Sequence, residues 1–221
     1  TEIYTLSLHD ALPICLVKTF REMRRYDQLF WMLLTFWVYS NGIGTIITMA
    51  TIYGAEIGIG QTALIGTLLM VQFLGAPFAF LFGWLARKIG PKPAIYLSLS
   101  VYCLIAVLGY FLQYEWHFWV LGGLVATVQG GSQALSRSLI GRMMPKSKSA
   151  EFYGFFSVFE KFSSIAGPFL FALVAQVMGQ SRLSIVSLVV FFVAGMVMLR
   201  RVDVQKGVRA AEEEEARLVQ A

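Results

Sequence analysis

Charge is scarce in this 221-residue chain, and so are the residues that carry most enzyme chemistry. Charged side chains make up 14% of it against 57% hydrophobic, with two histidines and two cysteines. Cys15 and Cys103 show no metal-ligand spacing and no disulfide framework. There is no His-Glu-x-x-His, no paired aspartate, no phosphate-binding loop and no Gly-x-Ser-x-Gly. Gly130-Gly131-Ser132-Gln133 lacks the second flanking glycine of a nucleophile elbow. An enzyme is therefore not expected, and neither a cofactor nor a metal is called for. The alternating pattern of membrane barrel strands is also missing, which leaves helices.

Long apolar runs fill the chain instead, and the mean hydropathy is +0.66. A spanning helix needs roughly 20 apolar residues to cross a core about 30 Å thick. Six runs qualify: Leu29–Ile52, Thr62–Leu85, Ala94–Leu112, Phe118–Ser136, Phe152–Met178 and Leu183–Leu199. The basic residues sort to alternate gaps between them. Lys18–Arg25, Arg87–Lys92, Arg137–Lys148 and Arg200–Arg209 hold fifteen of the eighteen Lys and Arg, and the three intervening gaps hold Arg182 alone. Basic loops stay on the cytoplasmic side, so the pattern predicts six crossings with both ends inside. The same bias accounts for the pI near 9.3 and leaves no basic stripe for nucleic acid. The expected class is an all-α polytopic membrane protein in a bilayer.

Four segments follow. Residues 1–15 are expected to be a non-native leader, because Tyr4–Ile14 resembles translated adapter sequence and has no signal-peptide pattern. Residues 16–28 read as a cytoplasmic lead-in, 29–199 as the six-helix domain and 200–221 as a cytoplasmic tail. The Glu212–Glu215 run is expected in a solvated helix or a disordered end. Gly90-Pro91 makes spans two and three antiparallel neighbours. Gly167-Pro168 predicts a kink in span five. A three-plus-three inverted repeat can underlie six spans, although no strong repeat stands out.

Polar side chains inside hydrocarbon are costly, so their positions are informative. Gln129, Ser132, Gln133 and Ser136 share one face of span four. Ser157, Glu160, Lys161 and Ser164 repeat that spacing in span five, and Asn41, Thr45 and Thr48 line one face of span one. Three polar faces at similar depth point to a shared interior for a small-molecule cargo. The plainer alternatives stay open. Serines and threonines bond the i−4 carbonyl, and the glutamines act as interhelical glue as readily as cavity lining. Glu160 and Lys161 have a functional default. Being adjacent, they point about 100° apart. Glu160 is expected to meet the Gln129/Ser132 stripe, and Lys161 a carboxylate outside this chain. Arg137 and Arg142 read as inner anchors, and Glu56, Glu115 and His117 as outer-end residues without a catalytic role.

Gly83, Leu85, Ala86, Gly90 and Lys92 match the cytoplasmic loop motif of the major facilitator superfamily, with Lys88 a basic equivalent. Arg87 stands where that motif carries an acid, and Pro91 replaces an arginine. Tyr39–Ile47, Gln129–Ser138 and Glu151–Pro168 resemble the first, fourth and fifth helices of the C-terminal half in the vacuole-effluxer-like branch. The resemblance covers about residues 18 to 203. It implies a secondary transporter of a small solute, with amino acids as one cargo class, working by alternating access. It also implies a missing N-terminal six-helix half and a bacterial inner-membrane location. Asn41-Gly42 replaces an expected Asp-Gly, which removes one carboxylate available for proton coupling. Two other readings compete: a stand-alone six-helix homodimeric carrier, and a scaffold or sensor subunit without cargo.

Overall fold

The computed structural model describes residues 23–24, 26–179 and 181–220, so the expected leader and most of the lead-in lie outside the described residues. Every regular element among them is helical. α1 (Asp27–Glu56), α2 (Gln61–Ile89), α3 (Pro91–Tyr110), α4 (Glu115–Arg142) and α5 (Ser149–Met178) contain the first five expected spans to within a turn. The sixth is divided into α6 (Ser181–Ser187) and α7 (Val189–Arg201), and α8 (Val204–Gln220) follows. The division at Leu188 is a departure from the single rod the sequence predicts. Ser187 donates its hydroxyl to the Ser184 carbonyl at 2.6 Å, a local bond that competes with the helical ladder there.

Asp27–Glu56, Gln61–Ile89, Pro91–Tyr110 and the run Arg182–Arg201 are long and apolar enough, by length and composition, to cross a membrane. α4 and α5 are as long, at 28 and 30 residues, and the apolar character of α4 is diluted. The polar stripe of α4 is the cause, and Ile165–Val177 is an apolar stretch of α5 among the described residues. The chain is an all-α polytopic membrane protein.

The packing exposes a symmetry that the sequence hid. α1 packs mainly on α5 and α7, α4 packs mainly on α2 and α3, and α3 meets α7. Exchanging first for fourth, second for fifth and third for sixth span maps these pairings onto one another. The same distance along the chain separates Asp27 from Glu115 and Gln61 from Ser149. It also separates Asn41 from Gln129, Gly42 from Gly130, Thr45 from Gln133 and Thr48 from Ser136. The unit is thus a pair of three-helix repeats of opposite direction. α2 touches α3 less than it touches α4, so sequence neighbours are not the main packing partners.

Small residues set both principal contacts. A Cβ at Gly167 of α5 would lie 2.5 Å from the Asn41 carbonyl oxygen, and one at Gly130 of α4 would lie 3.2 Å from the Gly75 carbonyl oxygen. Close backbone approach supplies the dispersion contacts that hold membrane helices together. Between them lies an aromatic and aliphatic core in which Tyr102 stacks on Phe192 at 5.3 Å.

The helix ends are tied at both faces. Gly90, with φ +94°, makes the turn from α2 into α3. Lys92 then donates to the Val202 carbonyl at 2.6 Å, capping α7. At the opposite end Glu115 accepts from the Gly60 N–H at 3.1 Å, placing an anion at the start of α2. His117 caps the start of α4 by accepting from the Gln113 and Tyr114 N–H groups. The tail is a docked helix: Ala211 is buried, and Glu215 accepts from the Lys146 N–H at 2.6 Å.

Candidate functional site

Asn41 sits at the middle of α1 and Gln129 at the middle of α4. Asn41 is 2% exposed. Its amide nitrogen donates to the Trp37 carbonyl at 2.7 Å, while its Oδ1 has no partner among the described residues. The Oε1 of Gln129 is likewise buried without a partner among the described residues. An unmade hydrogen bond on a buried oxygen costs about 1–3 kcal/mol, and no water relieves it within hydrocarbon. Two such oxygens at equivalent places in the two repeats form a polar belt at mid-helix.

Around this belt the expected site residues divide. Thr45 is fully buried and donates to the Asn41 carbonyl at 2.7 Å; Thr48 donates to Gly44 and Ser157 to Tyr153 in the same i−4 manner. Ser132, also fully buried, donates to the Gln129 carbonyl at 3.1 Å. These hydroxyls are internally satisfied. Gln133 is half-buried. The Ser164 side chain lies outside the described set. Thr45 and Gln129 also border an apolar cavity of about 310 Å³ in the half of the bundle away from the basic loops.

Glu160 requires a correction. It does not meet the Gln129/Ser132 stripe; it forms an ion pair with Arg137, one turn beyond Gln133 on α4. Both are partly open, at 34% and 49% exposure. α4 and α5 share little backbone packing among the described residues, where this pair and Tyr153 against Gly141 join them. A partly exposed pair is worth little in water and is expensive against lipid. The face that carries it suits water or another protein surface. Lys161 is exposed on α5 and has an interaction within the chain.

Sequence reasoning missed Tyr39, whose hydroxyl donates to Ser136 Oγ; Ser136 passes the chain on to the Ser132 carbonyl at 2.6 Å. This bond joins α1 to α4 beneath the amide belt. It also read Arg137 as an anchor only, although Gln129, Gln133 and Arg137 continue one i, i+4 row. Among the described residues no group of three or more His, Cys, Asp or Glu could hold a metal ion.

The family model described as vacuole effluxer Atg22-like matches residues 14–212. The chain belongs to the vacuole-effluxer-like family. It is 43% identical over 182 residues to the uncharacterized MFS-type transporter YxiO of Bacillus subtilis, covering 82% of this chain and 42% of that protein. It is 25% identical over 218 residues to autophagy-related protein 22 of Saccharomyces cerevisiae, covering 90% and 40%. For autophagy-related protein 22-1 of Aspergillus niger the figures are 25% over 211 residues, 88% and 34%. The chain thus spans less than half the length of these relatives. Within this vacuole-effluxer-like member, the loop motif has structural work: Gly90 turns the chain, Lys92 caps α7, and Lys88 lies 4.0 Å over the Trp84 ring. Arg87 and Gly83 make no comparable contact among those described here.

Proposed function

We propose that this chain is the C-terminal six-helix half of a secondary active transporter, moving a small solute by alternating access. The supporting observation is the repeat-related amide pair, Asn41 and Gln129, whose buried oxygens await a donor at mid-helix. Inverted repeats with polar groups at their shared midplane are how secondary transporters build a site. Cargo N–H or O–H groups would meet those two oxygens. Arg137 and Glu160 would face the aqueous route toward the basic end, with Gln133 and Lys161 on the same side. Amino acids are the first cargo class to try. The basic loops would lie in the cytoplasm of a bacterium, with the unit in its inner membrane.

Membership of a transporter family and the short span relative to the curated relatives support a longer two-half protein. The exposed apolar faces of α2 and α5, including Phe73, Phe80, Ile165 and Phe169, offer the surface for a second half. The test is counterflow of radiolabelled amino acids in proteoliposomes of the full-length protein. Gln129→Ala and Glu160→Gln are each expected to reduce it at least about ten-fold. Transport that survives both changes would remove the site assignment.

A further inference from the structure

The cavity beside Gln129 is not a simple extension of the polar belt. It runs between α1, α2 and α4 and reaches back to Ile105 and Ala106 of α3, Phe171 of α5 and Ile185 of α6. Among the described residues no charged side chain lines it. Its wall does contain two polar oxygens without hydrogen-bond partners among the described residues: the Gln129 Oε1, and the Oγ1 of Thr67, a residue 3% exposed on α2. Thr67 packs against Gly122, one contact of the α2–α4 pair, so the two oxygens belong to facing helices.

We infer that this cavity is a binding site for an uncharged, mainly apolar small molecule carrying an O–H or N–H donor. The volume of about 310 Å³ is at the lower end of small-molecule pockets, whose walls are apolar with a few placed polar groups. Net charge on the ligand is excluded because no counter-charge lines the wall, and burying an unpaired charge is costly. A bare acyl chain fills the volume but leaves both oxygens unbonded. A donor satisfies Gln129, and the Thr67 hydroxyl offers a second polar group in the same cavity, level with Gly122. Occupancy wedges α1, α3 and α6 against the α2–α4 pair, beside Phe171 of α5. The inference stands whether or not the chain transports.

The experiment is photolabelling of the full-length protein in lipid nanodiscs with an octanol that carries a diazirine, read by peptide mass spectrometry. Adducts are expected on lining residues such as Met49, Leu121 and Ile105. Thr67→Val, which keeps the shape and removes the hydroxyl, and Gln129→Leu should each lower those adducts about five-fold. Thr67→Ser should retain them, and Ala106→Phe, which fills the space, should abolish them. Adducts on outward Val190 and Val197 of α7 serve as the folding control and should stay constant. Labelling confined to that outward face would overturn the inference. Cavity labelling undiminished in both Thr67→Val and Gln129→Leu would also overturn it, assigning the space to acyl chains.

Discussion

Asn41 and Gln129 hold equivalent places in the two three-helix repeats, and each has a buried amide oxygen without a partner among the described residues. Both are expensive for the fold and useful for a ligand. Replacing either by leucine removes the unmet oxygen at similar volume. Asn41→Leu and Gln129→Leu should therefore each raise stability by about 1 kcal/mol, seen as a higher unfolding temperature in detergent. The same changes should cut counterflow by at least about ten-fold. Stability that falls in both variants would mean that the oxygens are satisfied in the membrane and carry no site.

The Arg137–Glu160 pair predicts a charge-swap result. Arg137→Glu places two acids together at the seam, and Glu160→Arg places two bases there. Each single change should reduce counterflow at least about ten-fold, while the double exchange recovers most of it, because neighbouring charges couple non-additively. Equal loss in the singles and the double would indicate that each residue acts alone.

Much of the architecture was legible in the residues, and the reasons differ by element. The apolar runs marked α1 to α5 because a bilayer demands long uninterrupted helices. The break at Leu188 was not legible, since Ser184 and Ser187 look like ordinary small residues in an apolar run. The repeat escaped notice because equivalence between Asn41 and Gln129 or Thr48 and Ser136 preserves polarity rather than identity. Glu160 was recognisable as unusual by depth alone. Its partner was not, because helix tilt and the α4–α5 connection decide which turn of α4 it reaches. Tyr39 reads as one more aromatic until Ser136 is placed against its hydroxyl.

Gly90 and Lys92 give the loop motif a stability test. Gly90 has φ +94° and ψ 154°, a region that a side chain disfavours. Gly90→Ala should cost about 1–3 kcal/mol, and Lys92→Met about 1 kcal/mol through the lost cap on α7. Thermal unfolding of both variants in one detergent measures the order. A larger loss for Lys92→Met would move the main role of the motif from the turn to the cap.

Two glycines in mid-membrane separate packing from flexibility. Gly167 faces α1 so closely that a Cβ would lie 2.5 Å from the Asn41 carbonyl oxygen, whereas a Cβ at Gly44 would meet nothing within 4 Å. A backbone atom cannot swing aside as a long side chain can, so Gly167→Ala must push α5 away from α1. Its cost should be about 1–3 kcal/mol. Gly44→Ala fills open space on a helix and removes conformational freedom from the unfolded chain, so it should be neutral or stabilise by up to about 1 kcal/mol. Unfolding midpoints in the same detergent test the contrast. Equal effects at both positions would mean that α1 and α5 do not approach through Gly167, and the tight backing behind Asn41 would fall with that contact.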